Sequence, residues 1–422
     1  MDLQQTKQSD YQVNPTLYWE LSRIYMEKTV PSYAVIDVET TIFAKGNPFS
    51  ERNKLCLVGV RINGKNETFR IEYDPTEPYA EALNQIRDCI NSVDCVVLFN
   101  AKFDLNWLAR YGIFLPESVS VFDCQLAEFI LGNQRPAYPS LDDCLAKRGL
   151  GNKLSSVHDL YWGRGIDTPD IPIDVLTKYL NEDLRLTDDL YRNITADLQR
   201  LPSRVPLIRL HQMDLRVLQE MEFNGERLAW DSLADAQAEC EEELRRVDEN
   251  LRGCVGEDFR ETFNPDSGDH LSVLLYGGDL SIKVGTPYQR TYKSGPRAGE
   301  TVLAHKWETR RYTFPQLVRP VDGSRLKKDG FFKTDEETLL SLPRRAVGPL
   351  VDLLIRRAEL AKLSGTYYKG LPAIAEKYDW KDGFIHGTLS QCNVITGRLS
   401  SSKPNKQNFP GILLKYIISR YA

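Results

Sequence analysis

Four short runs rich in β-branched residues lie within the first hundred residues, and residues typical of turns bound each of them. Such runs predict β-strands, which we place at residues 33–38, 54–63, 67–73 and 94–100. Apolar residues with helical spacing lie between and after these runs, at 79–91, 103–111, 123–131, 140–148 and 173–199. Strands interleaved with helices in this way predict an α/β domain in which helices cover a mixed sheet.

The pattern changes after the sequence RLPSRVP at residues 200–206, which favours a break between domains. Long helical stretches are predicted beyond it, at 207–222, 231–252, 335–342 and 347–377. Residues 283–328 interrupt them and contain eleven Lys and Arg against three Asp and Glu. This basic segment is either a solvated surface loop or a surface that contacts phosphates.

Composition excludes several classes of protein. The eight cysteines form no C-x-x-C pair and no zinc-type spacing, so we expect mostly buried, reduced thiols. The first ten residues, MDLQQTKQSD, lack the basic and apolar regions of a signal peptide, and no apolar run approaches the roughly 20 residues that span a bilayer. The net charge of −5 disfavours a uniformly basic surface, so any binding of nucleic acid would depend on local patches. We therefore expect a cytoplasmic protein with no membrane partner.

Three short acidic motifs follow one another along the first half of the chain: D-x-E in a strand at Asp37 and Glu39, N-x3-D after a later strand at Asn100 and Asp104, and Y-x3-D in a helix at Tyr179 and Asp183. Alternation along a strand places the carboxylates of the first motif on one face of the sheet. Two such carboxylates repel each other unless a cation lies between them, and a divalent metal ion meets that need. Each motif alone also fits solvated or helix-capping residues.

Together, the order and spacing of the motifs resemble the three signatures of the proofreading 3′–5′ exonucleases attached to family A DNA polymerases. The segment FDCQLAEFIL at 122–131 resembles the helix between the second and third signatures. The resemblance implies a ribonuclease-H-like fold and hydrolysis of the 3′-terminal phosphodiester with release of a 5′-mononucleotide. It also implies that two Mg²⁺ or Mn²⁺ ions are held by four carboxylates, those of Asp37, Glu39, Asp104 and Asp183.

Two further residues receive roles from the same resemblance. Tyr179 would orient the attacking water or help to deprotonate it. Asn100 would support the site or the terminal nucleotide. The expected substrates are the 3′ ends of single-stranded DNA and primer–template DNA.

The second half of the chain also resembles family A polymerases, most closely the phage replicative enzymes. Residues 210–228 resemble their linker, and residues 262–278, 333–342 and 353–374 resemble parts of a mainly helical thumb. Within the basic insertion, Arg310 and Arg311 would contact duplex DNA. The segment at 383–410 resembles the stretch that grips primer–template DNA near a palm, through Thr396, Arg398, Ser400, Ser401, Asn405, Gln407 and Asn408.

The resemblance therefore divides the chain into an N-terminal extension (1–29), an exonuclease domain (30–200), a linker and thumb (201–382) and the start of a palm (383–422). The last acidic residue is Asp382, so the aspartates that polymerases use for nucleotidyl transfer are not in this sequence. We expect either a truncation or a split polymerase whose palm and fingers lie on a second polypeptide. Residues 412–421 would form a strand with an exposed edge that pairs with that polypeptide.

Two other functions stay open. The chain could be a free-standing 3′–5′ exonuclease acting on DNA or RNA, although such an enzyme has no use for a thumb. It could also be a non-catalytic DNA-binding subunit of a polymerase, although the four carboxylates then have no purpose.

Overall fold

The computed structural model describes residues 31–381 and 383–419, so the predicted N-terminal extension at 1–29 lies outside the described residues. The described chain folds into two compact units. The first unit contains the residues up to Leu228 together with those from Ile374 onward, and the second unit spans Ala229–Ala373. The chain therefore leaves the first unit once and returns to it.

A five-stranded mixed sheet forms the centre of the first unit. Its strands are β1 (Tyr33–Thr40), β2 (Leu55–Ile62), β3 (Lys65–Arg70), β4 (Cys95–Leu98) and β5 (Ser120–Asp123), in the order β3-β2-β1-β4-β5. Strands β1, β2 and β3 pair antiparallel, whereas β4 pairs parallel with both β1 and β5. The predicted mixed sheet is confirmed, and so are its four predicted strands.

Strand β5 was not predicted. It is a four-residue strand at the edge of the sheet, with the sequence SVFD. Four residues give too little alternation to separate a strand from the helical pattern that follows directly.

Six helices surround this sheet: α1 (Ala80–Asn91), α2 (Ala101–Arg110), α3 (Cys124–Leu131), α4 (Leu141–Arg148), α5 (Ser156–Leu160) and α6 (Ile173–Arg200). Local sequence fixes several of their starts. The Asp123 side chain accepts hydrogen bonds from the backbone of Gln125 and Leu126 at the start of α3, and Ser140 caps α4 in the same way through Asp143. The predicted helices at 79–91, 103–111, 123–131, 140–148 and 173–199 are confirmed within two residues at each end.

Helix α6 packs against the sheet at a position where β2 has a glycine. A Cβ added to Gly59 in β2 would lie 2.7 Å from Leu184 Cδ1 and 2.9 Å from Leu180 Cγ. Gly59 pairs directly with Asp37 of β1, so the two residues face the same side of the sheet. The missing side chain thus lets α6 approach the strand that carries the first acidic motif.

The remainder of the first unit is built around α7 (Val205–Asn224) and two small sheets. Strands β6 (Glu226–Leu228), β9 (Phe384–Ile385) and β12 (Ile417–Ile418) form one sheet in the order β12-β6-β9, and β10 (Thr388–Ser390) pairs with β11 (Ser400–Ser402). Buried Glu222 of α7 ties in the returning chain, because its carboxylate accepts hydrogen bonds from the backbone N–H of Leu389 (2.6 Å) and from Lys102 (2.5 Å).

The strand predicted at 412–421 is wrong over its described part. Residues Gly411–Tyr416 form a 3₁₀ helix, and only Ile417–Ile418 is a strand. Leu413 and Tyr416 are buried and lie three residues apart, which matches the period of a 3₁₀ helix and not that of a strand.

The second unit is mainly helical, as predicted. Its helices are α8 (Trp230–Gly253), α9 (Glu257–Arg260), α10 (Gly268–Tyr276), α11 (Glu336–Leu340) and α12 (Arg344–Lys362), followed by a π-helical segment (Leu363–Tyr368) and by α13 (Gly370–Tyr378), which continues past the unit's end. The predicted helix at 347–377 is therefore interrupted. Arg357 joins α12 to α8 and to the loop before α10, since it pairs at 2.6 Å with both Asp248 and Asp266.

A long hairpin occupies much of the basic segment. Strands β7 (Gly278–Thr291) and β8 (Thr301–Phe314) pair antiparallel over their whole length. Most of their side chains are exposed, so no buried alternation marks these strands in the sequence. The basic segment at residues 283–328 is therefore, over much of its length, an exposed hairpin.

Among the described residues, no helix combines the length and apolarity needed to cross a membrane.

Candidate active site

Two elements bring three carboxylates together. Asp37 and Glu39 project from β1, and Asp183 projects from the middle of α6. The three groups offer oxygens that all lie within 4.8 Å of one another. Their meeting depends on the close approach of α6 to the sheet at Gly59.

The fourth predicted carboxylate, Asp104, is buried in the first turn of α2. It is outside the group of three, but the charge of Asp37 acts on it. Its Oδ1 and the Oδ1 of Asp183 are buried and have no hydrogen-bond partner among the described residues. Buried, unpartnered carboxylate oxygens are costly unless a cation satisfies them.

Asp123 positions the start of α2 and was not predicted as part of the site. Its carboxylate accepts hydrogen bonds from the backbone N–H of Asn100 (3.2 Å) and Ala101 (3.0 Å), besides capping α3. Its place immediately before a helical pattern was the available signal, since Asp is a preferred N-cap. Asn100 itself is exposed, has a left-handed backbone (φ 62°), and does not cap α2 with its side chain.

Burial and mutual repulsion weaken the acidity of the cluster. Burial, followed by the charge of Asp183, raises the pKa of Asp37 to about 7. Burial, followed by the charges of Asp37 and Asp183, raises the pKa of Glu39 well above its usual value. Burial also raises the pKa of Asp104 and of Asp183. The site therefore resists holding four negative charges without a cation.

Lys153 supplies positive charge to the cluster and was missed in the sequence. Its Nζ lies 2.7 Å from Asp183 Oδ2 and 5.4 Å from the ring centroid of Tyr179. Burial lowers the pKa of this amine, but the charges of Asp183, Tyr179 and Asp37 and the hydrogen bond to Asp183 together outweigh burial, so the pKa of Lys153 is raised. A single lysine in a loop between helices carries no motif, and no sequence signal could have identified it.

Tyr179 lies one helical turn before Asp183 and is largely buried. Its ring packs edge-on against Trp162, with centroids 5.5 Å apart. Burial, followed by the charge of Asp183, raises the pKa of the phenol, so the hydroxyl is protonated at neutral pH.

The donor set fits a divalent cation. It consists of carboxylate oxygens, two of which have no hydrogen-bond partner within the described part of the chain, and hard oxygen ligands suit Mg²⁺, Mn²⁺ and Ca²⁺. Asp37, Glu39 and Asp183 would hold such an ion, with Asp104 beside them.

Of the seven residues predicted to grip DNA in the first unit, five are exposed, Ser400 is half-buried and Ser401 is buried. Thr396 and Arg398 are exposed. Ser401 is buried, donates to the Pro404 carbonyl (3.3 Å) and accepts from the Lys406 N–H (3.0 Å). The remaining four lie in the same segment. Ser400, Asn405 and Gln407 make hydrogen bonds to residues near them in the sequence, and Asn408 has an interaction partner too.

Arg310 and Arg311 lie in β8 of the second unit. As neighbours in a strand they point to opposite faces of the hairpin. Arg310 forms an ion pair with Glu308 at 2.5 Å.

Comparisons with known proteins match both halves of the chain. The family described as 3′–5′ exonuclease matches residues 18–199, and the family described as DNA polymerase family A matches residues 308–419. The chain is 26% identical to DNA polymerase I of Synechocystis sp. over 363 residues, or 84% of this chain and 32% of the relative. It is 28% identical to DNA polymerase I of Chloroflexus aurantiacus, over 74% of this chain and 28% of the relative. The chain thus spans about a third of the length of these relatives.

One solved structure shares the fold over most of the chain. It is described as the POL domain of Pol1 from M. smegmatis in complex with DNA primer-template and dNTP. The match covers 93% of this chain and 55% of the other, with a TM-score of 0.59 and 20% sequence identity.

Proposed function

Since the chain carries a 3′–5′ exonuclease domain and part of a family A DNA polymerase domain, we propose that its carboxylate site removes nucleotides from the 3′ ends of DNA, as a proofreading nuclease does. One observation supports this most strongly: carboxylate oxygens from β1 and α6 lie within 4.8 Å of one another and beside Asp104. The substrates would be single-stranded 3′ ends and primer–template DNA.

We assign the four carboxylates to the binding of two divalent cations, Mg²⁺ or Mn²⁺. Bound cations would offset the negative charge that develops on the phosphate during hydrolysis. Without them, Asp37, whose pKa burial and the charge of Asp183 raise to about 7, is partly protonated near neutral pH. Cation binding and loss of protons from the cluster are therefore linked.

Tyr179 would orient the attacking water and would not act as a base. Its phenol stays protonated at neutral pH because its pKa is raised, so it can donate a hydrogen bond but not accept the proton of water. Its ring packs edge-on against Trp162, which restricts the positions that the ring can take.

A nuclease assay tests this function. The double variant Asp37→Ala/Glu39→Ala should lose several orders of magnitude in rate on a 3′-labelled oligonucleotide, and EDTA should abolish hydrolysis by the wild type. Tyr179→Phe should slow hydrolysis while Mn²⁺ affinity stays close to that of the wild type. Glu81→Ala, an exposed acid on α1, is the matched control. Equal degradation with and without EDTA would contradict the proposal.

The polymerase-like part would hold DNA for a replication enzyme in the cytoplasm of a bacterium or a phage-infected host cell. A match of residues 308–419 to the polymerase family favours this function over a free-standing exonuclease. The relation to phage enzymes stays a prediction, and so does a second polypeptide that carries palm and fingers. Exposed Ile412 and Leu414 would lie on the surface that contacts it, so co-purification with a candidate chain tests that hypothesis.

A further inference from the structure

We propose that Lys153 is a built-in counter-cation of the carboxylate site, which holds Asp183 in the metal-free chain and releases it when a divalent cation binds. The ion pair joins Lys153 Nζ and Asp183 Oδ2 at 2.7 Å, with side chains 28% and 5% exposed. The inference rests on the proposed function, since it assumes that this cluster binds metal.

The position of Lys153 makes it a competitor for metal. Asp183 belongs to the group of three carboxylates that would hold the ion. One of its oxygens contacts Lys153, and the other is buried and has no hydrogen-bond partner in residues 31–381 and 383–419. In a poorly solvated site, an ammonium group and a divalent cation this close together repel each other. Lys153 and the cation therefore compete for the carboxylate of Asp183.

The same ammonium group stabilises the site when no metal is present. Lys153 pairs with Asp183 at 2.7 Å, and Asp183 offers an oxygen within 4.8 Å of oxygens of Asp37 and Glu39, so the ammonium charge acts on all three carboxylates. Its charge thus offsets part of the repulsion among carboxylates that α6 and β1 bring together. Removing the ammonium group leaves the buried carboxylate of Asp183 unpaired, and an unpaired buried charge destabilises the fold.

The segment that carries Lys153 allows its side chain to move. It follows α4 through Gly149 (φ 68°) and Gly151 (φ 100°), whose left-handed backbones turn the chain towards α6. The Lys153 N–H is anchored on Asp142 Oδ1 at 3.1 Å. The ammonium group lies at the end of a flexible four-carbon stem, so it can leave Asp183 while the backbone stays in place.

Metal titration and thermal unfolding of the full chain test this inference. Lys153→Met should have a lower unfolding temperature than the wild type in EDTA. It should also bind Mn²⁺ about tenfold more tightly, because the competing ammonium group is gone. Lys153→Arg keeps the charge and should resemble the wild type. Lys178→Met, which removes an exposed positive charge from α6 near the site, should change neither property much.

Two outcomes overturn the inference in distinguishable ways. If the wild type binds Mn²⁺ but Lys153→Met binds it equally or more weakly, Lys153 does not compete with metal, and the proposed nuclease function is untouched. If the wild type binds no Mn²⁺, the metal site itself fails, and the proposed function fails with it. Should Lys153→Met not fold, Lys153→Gln, which can still donate a hydrogen bond to Asp183, gives the same comparison.

Discussion

At the scale of single residues, the carboxyl group of Asp37 responds to the whole cluster around it. Burial and the charge of Asp183 raise its pKa from 3.8 to about 7. Between these two values, the folded metal-free chain keeps a proton on Asp37 that the unfolded chain has lost. This difference in pKa contributes to the free energy of unfolding. The contribution is fully present below about pH 4 and is lost as the pH rises through about 7.

Asp37→Asn removes this titrating group and should therefore stabilise the metal-free chain. In EDTA at pH 8, its free energy of unfolding should exceed that of the wild type by roughly 1–4 kcal/mol, and the difference should shrink towards pH 4. Urea unfolding at several pH values measures it, with Asp88→Asn, an exposed acid of α1, as control. A difference that is absent at pH 8, or that grows on acidification, would show that Asp37 is not a strained carboxylate.

At the scale of elements, the site depends on how closely one helix approaches one sheet. Helix α6 carries Tyr179 and Asp183, and β1 carries Asp37 and Glu39. Gly59 in β2 sets the distance between them, because any Cβ there would collide with Leu180 and Leu184.

Gly59→Ala should push α6 away from the sheet. Overpacking of this kind costs about 1–3 kcal/mol, and the displacement of Asp183 should also weaken Mn²⁺ binding. Ile90→Val, a core variant of α1 on a helix without site residues, controls for loss of stability alone. The two effects are separated by titrating Mn²⁺ at a temperature where both variants are folded. Unchanged Mn²⁺ affinity in a folded Gly59→Ala variant would contradict the idea that this contact sets the site.

The hairpin of β7 and β8 places its basic residues on two faces. Arg311 pairs with Ser281 across the hairpin, whereas Arg310 is on the other face and is bonded to Glu308. If the hairpin holds duplex DNA by phosphate contacts, Arg311→Gln should weaken binding to all sequences alike and lower the salt slope by about 0.9. Arg310→Gln should weaken binding less. Anisotropy titrations of two unrelated duplexes at several salt concentrations measure these effects. A sequence-selective loss of affinity, or a larger loss for Arg310→Gln than for Arg311→Gln, would contradict this function of the hairpin.

At the scale of the whole molecule, the first unit is built from two separate stretches of chain. Its two stretches meet in a small sheet, where the N–H of Leu228 donates to the Gly383 carbonyl at 2.9 Å. The points at which the chain leaves and returns are therefore anchored within the first unit itself.

Replacing residues 229–373 with a flexible Gly/Ser linker of roughly ten residues should leave the first unit folded, because its sheet, site and returning strands all lie within it. Hydrolysis of a single-stranded 3′-labelled oligonucleotide should be retained, while affinity for duplex DNA should fall. An insoluble or inactive product, with the wild type active under the same conditions, would mean that the site needs the second unit.

The sequence by itself determined the elements and the chemical types at the site. Period-2 and helical patterns located four of the five central strands and most helices, since burial of one face imposes those patterns. The D-x-E, N-x3-D and Y-x3-D motifs indicated carboxylates for metal, since metal chemistry requires particular side chains at particular spacings.

Tertiary structure alone decided how these parts meet. The approach of α6 at Gly59, the anchoring of α2 by Asp123 and the pairing of Lys153 with Asp183 join residues far apart in the chain. No local pattern encodes such contacts, because packing across the fold creates them. The exposed hairpin escaped prediction for the related reason that strands without a buried face leave no periodic signal.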